Sequence, residues 1–125
     1  IVSAEPATLP AVLRDLVRSA PLDPKPHARL AAVLLARGDT DDGAIEAFAF
    51  RALAPDSADA WRLWASAQLA ARQLRLGLGS FERYTAMRRS AGVPDVVAEQ
   101  AAARLRRSLE VAVAPKQDSG TETIR

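Results

Sequence analysis

Few residues in this chain have side chains suited to chemistry. His27 is the sole histidine among 125 residues and cysteine is absent. Thiolate and disulfide chemistry are therefore excluded, and a metal site would have to rest on carboxylates. The acids Asp39, Asp41, Asp42 and Glu46 cluster, but they lack the twelve-residue ligand spacing and terminal glutamate of a calcium loop. They read instead as an exposed turn followed by acids at a helix N-terminus, where the helix dipole favours negative charge. Gly77-Leu78-Gly79 lacks the third glycine and the preceding strand of a dinucleotide site. His27, beside a Pro-Lys-Pro turn, reads as a structural imidazole at a helix start. No catalytic constellation and no cofactor motif emerges, so the expectation is a non-enzymatic protein with no metal or cofactor.

The elements that position these residues are helices. Leu9, Val12, Leu13, Leu16 and Val17 recur at helical spacing, with Thr8 as N-cap and Pro10 in the first turn. Pro21, Pro24 and Pro26 break the chain. A second helix is predicted over about 26–37, with Leu30, Val33 and Leu34 on one face and Gly38 as its stop. A third carries Ile45, Phe48, Ala49, Ala52 and Leu53 on its apolar stripe and ends at Pro55. Ser57 or Asp59 caps a fourth, with Trp61, Trp64, Ala65 and Gln68 buried. A fifth turns Leu74, Leu78, Phe81 and Tyr84 inward, with Gly77 and Gly79 marking close helix contact. Gly92-Val93-Pro94 precedes a sixth over about 94–111, with Val97, Ala101, Leu105 and Leu109 on one stripe. Residues 1–7 are expected to be an N-terminal extension, and the polar, aperiodic 114–125 a disordered tail. The chain begins at Ile1 without methionine, which leaves open a removed signal peptide, anchor or preceding domain, so the lack of a targeting segment says little about location.

Composition agrees with an all-α fold. Twenty-seven alanines against six aromatics suit short helices in close contact. No apolar run approaches the ~20 residues that span a bilayer. Residues 1–60 hold nine acids and six bases, whereas 61–125 hold eleven bases and six acids, the bases nearly all arginine. That half could face an anionic partner, but solvated helix faces account for it better. The aromatics fall on predicted buried stripes, which argues against a nucleic-acid partner.

A repeat underlies the pattern. A shift of 34 lays Pro21 on Pro55, and each is followed closely by an acid, Asp23 and Asp56. The same shift lays Leu30-Ala31 on Trp64-Ala65 and Leu34 on Gln68. In the next helices Ala44 and Phe48 match Gly77 and Phe81 at a shift of 33, which implies an extra residue in the Gly38–Gly43 turn. With Trp61, Trp64 and Ala65 in one first helix, Leu30, Ala31 and Gly38 in the other, and Ala44, Phe48 and Pro55 around a second helix, the chain resembles the tetratricopeptide-repeat family over about 8–90. His27, Gln68 and Arg89 depart from its pattern.

The resemblance implies helical hairpins stacked as a short right-handed α-solenoid over 8–113, with the arginine-rich sixth helix as a cap. It implies a concave groove lined by first helices: Lys25, Arg29, Ala32 and Leu35 from one, and Arg62, Ser66, Leu69 and Ala70 from the other. The expected activity is that of a scaffold or adaptor gripping a protein segment, with Arg29 and Arg62 directed at acidic groups. Family members that clamp a terminal carboxylate use asparagines, and this chain has none. Two other readings stand beside it: self-association through end helices, and an accessory domain of a larger envelope, secretion or enzyme-containing protein. The alanine–arginine composition is of a kind common in bacteria. It leaves the compartment open, with the cytoplasm slightly ahead of the periplasm.

Overall fold

The computed structural model describes residues 9–124, with side chains described for 9–112. The expected N-terminal extension and the Thr8 cap lie outside it, as do the side chains of the expected tail. Six helices follow in order: α1 Leu9–Ser19, α2 Pro24–Ala36, α3 Thr40–Leu53, α4 Ala58–Ala70, α5 Leu74–Ser90 and α6 Val96–Ile124. No strand occurs among the described residues. Each helix packs on its neighbours in sequence, and α2 also packs on α4. The α2–α3 and α4–α5 hairpins lie side by side in this pattern, and the fold is a short helical repeat solenoid.

Local chemistry fixes the helix ends. Asp23 and Ser57, equivalent under the shift of 34, cap α2 and α4 by accepting the Lys25 and Ala60 backbone N–H groups. Asp95 caps α6 in the same way, accepting from the Ala98 N–H at 3.0 Å. Both hairpin turns need a left-handed residue. Gly38 supplies it at φ +85°, and its repeat equivalent Arg72 does so at φ +66°. The Asp39 N–H then bonds the Leu34 carbonyl and the Gln73 N–H the Gln68 carbonyl, both at 2.9 Å.

The structure corrects the expected slip in this repeat. Gly43 and Gly77, not Ala44 and Gly77, are equivalent, and the period stays at 34 through the second helices. A Cβ on Gly43 would lie 2.8 Å from Leu35 side-chain atoms, and one on Gly77 would lie 2.6 Å from those of Leu69. Each leucine therefore sinks into the facing helix where a side chain is missing. Gly79 meets nothing within 4 Å, so of the two glycines read as contact points only Gly77 is one.

With this register the core differs from the predicted stripes. In α3 the buried residues are Gly43, Ala47 and Phe50, while Ile45 is 63% and Phe48 49% exposed. The one-residue shift turns a different face of α3 inward. In α4 the buried residues are Ala60, Leu63, Ala65, Ala67 and Gln68, and both tryptophans are half-buried. Leu78 and Tyr84 of α5 are buried as expected, but Leu74 is exposed. Ala98 and Ala102 anchor α6 in place of the exposed Val97. In α1 only Leu13 of the predicted apolar stripe is buried, with Val17 packed beside it. The main cluster joins Ala31, Ala47, Phe50, Ala60, Leu63 and Ala67, and spans both hairpins.

His27 is explained by the same repeat. Its Nε2 lies 2.8 Å from the Pro21 carbonyl, as the Trp61 indole N–H donates to the Pro55 carbonyl at 2.9 Å. The two pairs are repeat equivalents, so the imidazole does locally what the indole does in the next unit. Its Nδ1 lies 2.7 Å from Glu46 Oε1, which ties α2 to α3.

The two glycines of α5 separate packing from propensity. Gly79→Ala should stabilise the fold by about 0.5–1 kcal/mol through helix propensity alone. Gly77→Ala should destabilise it by about 1 kcal/mol or more, because Leu69 must be displaced. Urea denaturation of both variants measures the contrast.

Candidate partner-binding surface

The first helices of successive units carry the predicted groove residues. Lys25, Arg29 and Ala32 of α2 and Arg62, Ser66 and Ala70 of α4 are all exposed. Leu35 and Leu69 are half-buried, held in the hairpin seams over Gly43 and Gly77. The cations do not converge. Arg29 and Lys25 share a 210 Å3 notch with Leu16 and Pro26 at the α1–α2 junction. Arg62 lies on the opposite flank, 3.8 Å from Asp59 and close enough to Tyr84 and Asp95 to act on both. Between them Ala32, Ser66 and Ala70 present only small side chains.

Sequence reasoning missed a contribution from α6. Aligning the caps Asp23, Ser57 and Asp95 places Arg104 level with Ala32 and Ser66, and Arg107 level with Leu35 and Leu69. Arg104 and Arg107 line a 640 Å3 hollow with Ser108, Val111 and Ala112. Among the described residues neither has a carboxylate at ion-pairing distance, and the same holds for Lys25 and Arg29. The available signal was Asp95 after the Gly92-Val93-Pro94 break. It is obscured because α5 has 17 residues against 14 in α3.

Polar contacts hold α6 against α5. Arg89 forks onto Glu99 with both bonds at 2.7 Å, and Arg106 forks onto Glu82 at 2.7 and 2.8 Å. The Tyr84 hydroxyl donates to Asp95 Oδ2 at 2.6 Å and accepts from Arg88 at 3.1 Å. The Tyr84 bond and the Ala98 N–H hold the Asp95 carboxyl below the usual carboxylate range, while burial and Asp95 push the Tyr84 hydroxyl up. The Arg89 bonds likewise lower Glu99.

A second surface lies along the α3–α4 seam. The Arg51 guanidinium sits 5.1 Å from the Phe48 ring centre, 5.1 Å from Trp61 and 5.4 Å from Trp64. Arg83 sits 4.9 Å from Trp61. Phe48 meets Trp64 edge-on, with centroids 5.7 Å apart. Such cation–ring contacts contribute about 0.5–1 kcal/mol each where exposed. Beyond Trp64 the seam opens into a 370 Å3 cavity lined by Asp41, Ala44, Ile45, Ala67 and Ala71 among others. The aromatics expected to be core are thus partly a surface feature.

The acid turn forms a shallow hollow from Gly38 to Asp42, and Asp42 faces Arg14 at 3.5 Å. No helix among the described residues is long and apolar enough to cross a membrane. Comparison with family models, curated proteins and solved structures returns no match.

The α5–α6 corner has a pH signature. Because the Asp95 carboxyl is lowered in the fold, its contribution is fully present above about pH 4 and is lost as pH falls through the folded value. Asp95→Asn should flatten that part of the acid transition followed by circular dichroism. Tyr84→Phe should do the same and lower stability at pH 7 by about 1 kcal/mol. An acid limb identical to wild type in both variants would locate the sensitivity elsewhere.

Proposed function

We propose that the chain is a non-catalytic interaction module of the tetratricopeptide-repeat kind, binding an extended acidic segment of another protein. The segment lies across the exposed faces of α2, α4 and α6. What supports this reading is the charge arrangement there: Lys25 and Arg29 at one end, Arg104 and Arg107 at the other, none with a carboxylate partner among the described residues. The small side chains of Ala32, Ser66 and Ala70 let a backbone approach between these ends. Arginine forks recognise carboxylates in bidentate geometry, and an extended segment gives up little preformed structure on docking.

Arg62, already 3.8 Å from Asp59, is a weaker contact for the segment. Leu35 and Leu69 set the spacing of the two hairpins beneath it. Nothing in this reading requires a cofactor or a nucleic acid.

The test compares partner capture by wild type with Arg29→Glu/Arg62→Glu and with Arg104→Glu/Arg107→Glu. Each pair should reduce partner recovery by about tenfold or more and weaken its salt dependence. Unchanged partner profiles in both would reject the surface.

A further inference from the structure

The apolar strip on α3 is neither core nor part of the surface proposed above. Trp64, which borders it, stands two residues from both Arg62 and Ser66, about 200° around α4. Along α3 the exposed residues Asp41, Ile45, Phe48 and Ala52 fall on one stripe, with Arg51 on its α4 edge. Ile45 and Phe48, one turn apart, are 63% and 49% exposed. Beside them lies the 370 Å3 cavity walled by Ala44, Trp64, Ala67 and Ala71. The strip therefore carries exposed apolar groups beside a recess that Ile45 itself borders.

Its charges are arranged with a sense. Asp41 stands at the N-terminal end of the strip with no cation at ion-pairing distance among the described residues. Arg51 stands at the other end, about 15 Å along the helix. Among the described residues no carboxylate pairs with Arg51, whose guanidinium lies over the Phe48, Trp61 and Trp64 rings. Glu46, midway between, is engaged by His27 on the inner side and does not disturb the pattern.

We propose that this strip binds a second copy of the chain in an isologous, antiparallel α3–α3 contact. A two-fold axis over the midpoint between Ile45 and Phe48 lays each Asp41 against the other copy's Arg51. It also packs each Ile45 against the other copy's Phe48, next to the cavity that Asp41, Ala44 and Ile45 border. Isologous pairing requires a self-complementary patch, and a strip with exposed apolar groups at its middle and opposite charges at its two ends meets that requirement. Parallel pairing brings like charges together and is disfavoured. The small side chains of Ala44 and Ala52 allow the helices to approach closely. The α2–α4–α6 face stays open in such a dimer, so the pairing stands apart from segment binding.

Sedimentation equilibrium on the whole chain, over roughly 1–200 µM, reads the pairing directly. Wild type should show a concentration-dependent dimer. Ile45→Ser, an exposed change that spares the core, should weaken it at least tenfold. Asp41→Arg alone and Arg51→Glu alone should each weaken it similarly by placing like charges opposite one another. An equimolar mixture of these two variants should restore dimer, because every contact then pairs opposite charges. Should Arg51→Glu lose its helical dichroism, Asp41→Arg and Ile45→Ser carry the test. A monomer at every concentration overturns the proposal. So does a dimer indifferent to Ile45→Ser and Asp41→Arg, or folded charge variants whose mixture fails to recover.

Discussion

The molecule depends on one recurring contact, a leucine near the end of each first helix sunk onto a glycine of the helix that follows. Leu35 on Gly43 recurs one repeat later as Leu69 on Gly77, and the geometry of these contacts sets how closely each hairpin closes. Once a hairpin is closed at that distance, its remaining apolar face needs a neighbour. The cluster of Ala31, Ala47, Ala60 and Ala67 is that neighbour contact, made from side chains small enough for the helices of both hairpins to meet. The cap and turn residues recur at the same period, so local and tertiary preferences point to one structure.

Two kinds of adhesion follow along the chain. From α2 to α5 the helices are joined mainly by buried alanine and leucine, with two polar pairs between them, Ser80 to Gln68 at 2.5 Å and His27 to Glu46 at 2.7 Å. Between α5 and α6 the buried contribution shrinks to Ala98 and Ala102, and arginine–carboxylate forks at the surface take over. Surface ion pairs contribute little each and weaken in salt. The last helix is accordingly held less firmly than the hairpins.

Much of this was legible in the sequence, because proline and glycine punctuate the chain. Six helices, the Gly38 stop, the Ser57 cap and the stacked-hairpin class all follow from spacing and turn chemistry. The face of α3 did not. Phe48 invites alignment with Phe81, yet the structural equivalent of Phe81 is Ala47, and Phe48 stands half in solvent against Trp64 and Arg51. A large apolar residue at helical spacing carries the same signal whether it packs inward or along an exposed seam. The decisive mark was the small residue, Gly43 in register with Gly77, which pattern reading passes over in favour of the aromatic. The exposed positions of Lys25, Arg29, Arg62 and Ser66 were readable from first-helix spacing. Arg104 and Arg107 were not, since the longer α5 breaks the period just before them.

Native-state hydrogen exchange reads directly whether stability is built from nearest-neighbour contacts between repeated hairpins. Protection should be graded, highest at the α2–α5 core around Ala31, Ala47 and Ala67 and falling toward α1 and α6. A single uniform protection value across all six helices would mean one indivisible bundle and would contradict it.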